Sequence, residues 1–526
     1  MRGSSILHRS LFCLLVLLLL PGHGLRGQEL GILTGRVVNA DGEGATDAQV
    51  RIMSLGRRVN VGEDGGFTLE NLPPASYLVE ATSPRWGQAV ERFEVRAGRR
   101  MVVLLYLDPL YQLDELVISA GPLPARRSET YQPTSALTGW DLARDAEASL
   151  GETLAEAPGV TASYNGPGSS RPIIRGLGGD RVRILEGGVG SGDVSNQGPD
   201  HAVAVEPMAA ERIEIVRGPA TLLYGSGAVG GVVNVIDARI PREIPEHALT
   251  GSVMGLGGTV ADERTGALEL NGGSGSWAWH LSGLRRNTGD FAIPGFAENE
   301  HEGEGHAEEE AEEEEAYGVL PNSAVETTRG ALGLSWVGDA GYLGISVSGL
   351  DNDYGVPGHG HGHGDEEDHE GEDHAEEEEG HEEGGVIGLE QRRLDVEGTW
   401  RFGADILRAV QGRFGYSDYL HTEFEGEEIG TRFTNEQWEG RIAAEHALFE
   451  PINGSVGLQV GGRSFRADGE EAFVPPSDNF LFALFAFQEL EGERVKYQVG
   501  ARVEGQRSEA KSLGLDESRM GLSFSG

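Results

Sequence analysis

The chain has 526 residues, with 42 Lys+Arg against 85 Asp+Glu and a formal charge of -43. A general nucleic-acid binder needs a basic face to meet phosphates, so that class is excluded. The single cysteine, Cys13, excludes a disulfide framework, a cysteine zinc finger and an iron–sulfur site. Glycine, at 81 residues, is about twice as common as usual and has no G-x-y period, which points to tight turns and crowded β-structure rather than collagen.

The N-terminus reads as a secretory signal, residues 1–27. Arg2, His8 and Arg9 precede the apolar run Leu11–Leu20, and small residues follow up to Gly27. A spanning helix needs about 20 apolar residues, so this run is too short. Cleavage near Gly27 would leave no cysteine. No other segment reads as a spanning helix, so a membrane form of this chain has to be a β-barrel.

Residues 30–107 are short alternating runs, such as Gly35–Val38 and Gln49–Met53, separated by turn signals at Asn39-Ala40-Asp41-Gly42 and Glu63-Asp64-Gly65-Gly66. They predict a small β-sandwich. With Leu72-Pro73-Pro74-Ala75-Ser76-Tyr77, this stretch resembles the carboxypeptidase-regulatory-like domain, an immunoglobulin-like fold that implies no peptidase. Residues 108–125 are a Pro-flanked linker. Its Asp114-Glu115-Leu116-Val117-Ile118-Ser119-Ala120 suits either a strand that pairs with a partner's sheet edge or an ordinary linker strand.

Residues 126–237 predict a mixed α/β domain. A helix is expected over Asp141–Leu154, where Leu142, Ala146, Leu150 and Leu154 share a face. Gly-rich turns and the runs Arg181–Leu185 and Arg212–Ile236 follow. The Glu211–Ile236 stretch, with Arg217-Gly218-Pro219 and Leu223-Tyr224-Gly225-Ser226-Gly227-Ala228, resembles the plug of TonB-dependent outer-membrane receptors. The resemblance runs over roughly residues 110–526. It implies that Asp114, Glu115, Leu116, Val117 and Ile118 bind TonB, which is energised by its inner-membrane complex.

Residues 248–526 alternate apolar and polar, as in Trp277-Ala278-Trp279-His280-Leu281 and Tyr342–Val347, and read as an antiparallel transmembrane barrel facing lipid. Trp277, Trp279, Trp336, Trp400 and Trp438 are expected toward strand ends. The resemblance implies a barrel of about 22 strands. The residues here supply only about 11, at 9–11 residues per strand plus loops. The chain also stops at Phe524-Ser525-Gly526 without a terminal aromatic strand, so a C-terminally truncated barrel is expected. The fold class is therefore mainly β: an immunoglobulin-like sandwich, an α/β plug domain and an incomplete barrel.

Two low-complexity runs, 298–315 and 359–383, hold 24 of the 85 acidic residues; without them the charge would be -19. Both are too polar to enter lipid. Long barrel loops face outside, which places both runs there. The first carries His301 and His306. The second carries His359, His361, His363, His369, His374 and His381. A solvated acidic loop would explain the carboxylates. It gives no reason to alternate His with Gly, which lets successive imidazoles converge on a metal. Imidazole and carboxylate suit zinc, nickel or Cu(II).

An ordered site is expected elsewhere. Asp193–His201 places Asp200-His201 after a Gly-Pro turn. With Asp353–His359, His421-Thr422-Glu423 and Glu445-His446, this resembles the zinc-importing, ZnuD-like branch of the receptors. Asp200, His201, His421 and Glu423 are the expected ligands. Turn capping (Asp200, His201) and ordinary lumen-facing polarity (His421, Glu423) are the competing readings. His280 reads as a plain barrel residue, and His247 and His446 stay open.

The expected function is import of zinc, or a related divalent metal, across the outer membrane, with the sandwich and plug on the periplasmic side. Zinc is the cargo and no cofactor is required. The alternatives are a receptor for a metal chelate, haem or nickel and, from another class, a surface adhesin or signal receptor. No H-E-x-x-H, G-x-S-x-G or P-loop is present, so no enzyme is expected. Gly176-Leu177-Gly178-Gly179 reads as a turn.

Overall fold

The computed structural model describes residues 30–39, 42–52, 55, 57–83, 86–107, 117–118, 125–126, 133–218, 221–245, 247–297, 316–357, 385–402, 406–426, 428–449, 452–469, 472–491 and 495–525. The signal segment, both His-rich runs and Asp114–Leu116 of the expected TonB-binding strand lie outside them. Of that strand, Val117–Ile118 is described, and it pairs with Ala125–Arg126.

The N-terminal domain packs a three-stranded sheet against a four-stranded one. Period-two alternation sends Leu33, Val37, Val50, Ile52, Phe67, Val79 and Leu105 into one shared core. The central domain has a five-stranded sheet. Its strand Gly231–Ile236 is buried along its whole length, between antiparallel Arg212–Arg217 and parallel Val182–Glu186. The expected helix Asp141–Leu154 is a correction. It is two short helices, Gly139–Asp145 and Leu150–Leu154. The Thr153 hydroxyl donates to the Ser149 carbonyl and accepts from the Glu147 N–H, which starts the second helix anew. Leu142, Leu150 and Leu154 still meet in one core, which is why the periodicity looked continuous.

Apart from a separate pair of strands, Phe291–Phe296 and Tyr317–Leu320, the strands that follow form one twelve-stranded antiparallel meander. Its strands are β1 (Leu249–Gly258), β2 (Glu263–Ser274), β3 (Trp277–Asn287), β4 (Val325–Gly338), β5 (Gly341–Gly355), β6 (Val386–Arg401), β7 (Leu407–Glu425), β8 (Glu428–Phe449), β9 (Ile452–Gly469), β10 (Ser477–Glu491), β11 (Lys496–Ala510) and β12 (Leu515–Ser525). Alternation holds: along β5, Leu343, Ile345 and Val347 are exposed while Ser346 is buried toward the central domain. The sheet wraps that domain, which meets side chains from β3 to β11. Among the described residues β1 and β12 do not pair with each other. No helix among the described residues is long and apolar enough to cross a membrane.

The connections sort by end. β2–β3, β4–β5, β6–β7, β8–β9 and β10–β11 follow one another after a few residues at one end. The strand ends that flank the two His-rich runs, of β3 and β4 and of β5 and β6, lie at the other. Trp277, Trp336 and Trp400 gather at the short-turn end, with Trp336 stacked on Trp400 at 5.8 Å. Trp438 does not lie at a strand end. It sits mid-β8, and Gly462 across on β9 supplies the hollow its indole fills.

Candidate metal centre

The loop 191–206 leaves the central sheet and crosses the lumen beneath the His-rich end. It has no ladder of its own, so side chains satisfy it. The Asp193 carboxylate accepts from the Ser195 N–H and hydroxyl and from the Ala204 N–H. The sheet holds several of its carbonyls. Gln391 and Arg393 on β6 donate to the Ser191 carbonyl, and Asn435 on β8 donates to that of Gly192. The buried Tyr354 hydroxyl on β5 accepts from the Ala202 N–H at 2.9 Å and donates to the Asp200 carbonyl at 3.0 Å. This scaffold fixes His201.

On β7, Tyr419, His421 and Glu423 are spaced by two and so share the lumen face. His201 meets them. The His201 and His421 rings lie 4.1 Å apart between centroids, and Phe433, opposite His421 on β8, packs edge-on against both. His201 Nε2 is 3.0 Å from Glu423 Oε1, and His421 Nε2 is 3.3 Å from the same oxygen. One ligand atom from each of the three residues lies within 4.8 Å of the others, and no other group of three or more His, Cys, Asp or Glu meets this among the described residues. His421 is fully buried and His201 nearly so.

The hydrogen bonds impose a charge requirement. His201 Nδ1 is 3.1 Å from the Val194 carbonyl, which can only accept, so Nδ1 carries a hydrogen. In the neutral ring, Nε2 then points a lone pair at a carboxylate oxygen. Two electron-rich atoms face each other unless a cation, proton or metal, sits between them. Burial alone lowers the His201 pKa. The Glu423 hydrogen bond and the charges of Asp200 and Glu423 outweigh it, so the net shift is upward. Tyr419 Oη, 3.2 Å from His421 Nδ1, positions the second ring, and as a hydroxyl it serves either tautomer.

Of the four expected ligands, three converge. Asp200 is adjacent, and its carboxylate lies outside the convergent set. The orienting groups Val194 and Tyr419 were not singled out from sequence, although Tyr419-x-His421-x-Glu423 at period two was a readable signal. His301, His306, His359, His361, His363, His369, His374 and His381 lie outside the described residues. Strand β6, the next described strand after the last six, starts beside this centre, because its Ile387 and Leu389 pair with Glu423 and His421. His280 is a buried lumen residue bonded to Asn271 and Ser282. His446 contacts Gln488, and His247 is exposed.

Gly198 lies against the centre. A Cβ there would come within 2.8 Å of both Asp200 Oδ1 and the His201 ring. Gly198→Ala is therefore expected to push His201 off Glu423 and weaken metal binding about tenfold or more, with unchanged thermal stability. Calorimetric titration beside a melting curve checks it.

Residues 126–232 match the family model described as the TonB-dependent receptor plug domain, and residues 32–107 match the carboxypeptidase regulatory-like domain. Three solved structures share the fold. The copper transporter OprC has a TM-score of 0.56 at 15% identity, over 74% of this chain and 59% of that one. The FrpB iron transporter from Neisseria meningitidis (F3-3 variant) has 0.55 at 10%, over 74% and 61%. The ferric citrate transporter FecA in its unliganded form has 0.52 at 16%, over 78% and 62%. The chain spans about 60% of the length of these three structures.

Proposed function

We propose, from the premise that this chain carries a TonB-dependent receptor plug domain beside a carboxypeptidase regulatory-like domain, that it belongs to an outer-membrane receptor that imports zinc or a related divalent cation. One observation carries the reading: two imidazole Nε2 atoms converge on one carboxylate oxygen, with the opposite face of His201 fixed as a donor. Neutral imidazole and carboxylate are zinc ligands, and a tetrahedral site takes about four. Asp200 or water would supply the fourth.

The rest of the mechanism extends this reading. The His/Asp/Glu runs 298–315 and 359–383 offer many weak ligands outside and raise the local metal concentration. The centre joins the plug loop, through His201, to the barrel wall, through His421 and Glu423. A pull by TonB on the plug, taken up through Asp114–Ala120, would separate the two halves and lower affinity at the moment of release. No covalent step is involved.

A second reading is favoured by a polar cavity of about 650 Å³ next to the loop that carries His201, lined by Arg171, Arg183 and Arg463 and by Asp180, Asp193, Glu439 and Glu504. It has room for a polar chelator arriving with the metal.

Calorimetric titration of the protein in detergent tests these readings. Deletion of residues 359–383 is expected to remove weak zinc sites and leave one tight site. Loss of the tight site on that deletion would overturn the division of labour. Binding of a zinc–citrate complex but not of free zinc would favour the chelate reading.

The pH dependence has a defined sign. Metal must displace the proton from His201, whose pKa is raised. Zinc affinity is therefore expected to rise with pH through a range above that of an ordinary histidine, by about tenfold per pH unit for one proton released. Titrations at several pH values check it.

A further inference from the structure

The N-terminal sandwich is not free of the barrel. Arg51 and Arg58 stand directly opposite each other on adjacent antiparallel strands, and Glu80 stands opposite Arg51 on the next. Like charges so placed destabilise a sheet unless something neutralises them. Glu243, in the segment between plug and barrel, does so: its carboxylate pairs with both Arg58 and Arg51. Glu80 in turn lies within electrostatic reach of Arg212 on the plug. The sandwich row reads plus, plus, minus. It meets minus at Glu243 and plus at Arg212. A second contact sets the Arg401 guanidinium, at the short-turn end of β6, over the buried Tyr77 ring at 5.5 Å.

These contacts lie at the end of the barrel opposite the metal centre. Leu389, the partner of His421, is twelve residues from Arg401 along β6, roughly 40 Å at strand rise. Between sandwich, plug and barrel lies a cavity of about 820 Å³, bounded by Arg51 and Arg58 from the first, Met208 and Arg212 from the second and Thr250 and His280 from the third. Cargo that has passed the plug on this side meets the sandwich.

We propose that the sandwich is a cap docked on the short-turn end, which must undock before cargo leaves the cavity beneath the plug. The proposal rests on the transport reading for its cargo and on the charge row for its docking. The ion pairs are the release point: the Arg51 and Arg58 side chains are 33% and 30% exposed and Glu243 15%, so water can take over these charges as they separate.

Cysteine pairs report the contact cleanly, because Cys13 is the chain's single cysteine and lies in the expected signal segment. Arg58→Cys with Glu243→Cys, bridged in cells by a short reducible bis-thiol reagent, should link in most molecules. Linked receptor should bind zinc at the outer centre as wild type does, while uptake falls at least tenfold and returns on reduction. Wild-type uptake by the linked receptor overturns the proposal, as does failure to link. A second pair, Glu80→Cys with Arg212→Cys, reads docking without transport. Glu243→Arg should lower its linking yield, and Arg51→Glu with Arg58→Glu in the same chain should restore it. A yield unmoved by either change overturns the docking. If docking is found and the unlinked receptor neither binds nor imports zinc, the transport reading is what fails.

Discussion

Alanine at His201 is expected to weaken the tight zinc site by more than about a hundredfold, and His421→Ala by a similar factor. Losing a residue that merely orients a ligand costs 10–100-fold, and in the proposed reading these residues are themselves the ligands. Each change leaves the other imidazole and Glu423 in place, so residual binding at high zinc concentration is expected rather than none. The fold should survive, because removing His201 also removes a lone pair that faces a carboxylate. Titration of each variant beside the double variant Asp200→Ala/His201→Ala measures this. Unchanged affinity in His201→Ala would leave the cluster as a protonated, purely structural ion pair.

The second large effect lies in a buried charge network that ties plug to barrel. Arg239 contacts Glu186, Asp237 and Asp395. Arg329 on β4 joins Glu186 and Asp237, and Arg393 on β6 joins Glu186 and Asp395. Three guanidiniums thus face three carboxylates, nearly all out of water. Burial alone would raise the Asp237 pKa, but Arg239 and Arg329 outweigh it and hold it at about 2. Its contribution is therefore complete above the unfolded carboxylate range, near pH 3.9, and is lost as pH falls toward 2. Such a network adds little over well-packed apolar residues, yet breaking it is costly because bare charges stay behind. Arg239→Ala is expected to cost about 3–5 kcal/mol and to open the plug to protease before the barrel unfolds. A melting curve and timed proteolysis test it. An unchanged melting temperature would mean that water solvates the remaining carboxylates.

Parts of this architecture were legible early, because alternation is a local signal. Leu343, Ile345 and Val347 declare an outward face whatever they pack against. The helix over Asp141–Leu154 misled for the same reason. Leu142, Leu150 and Leu154 keep one face whether the backbone is continuous or restarts at Ser149. Trp438 misled because the hollow that holds it mid-strand belongs to Gly462, on another strand.

By itself the sequence determined which residue types were on offer: Asp200-His201 after a turn and His421-x-Glu423 at a strand's period. It did not determine that they meet. They lie some 220 residues apart, in a loop held by plug and barrel side chains together and on a strand whose register is set by β6 and β8. A slip of one residue in β7 would turn His421 and Glu423 away from the lumen, so their convergence on His201 is a property of the paired sheet. The same holds for Glu243, whose two arginines lie in another domain, and for Arg239, whose carboxylates come from plug and barrel alike. Long-range charge pairing has no local period, and only the folded chain brings its partners together.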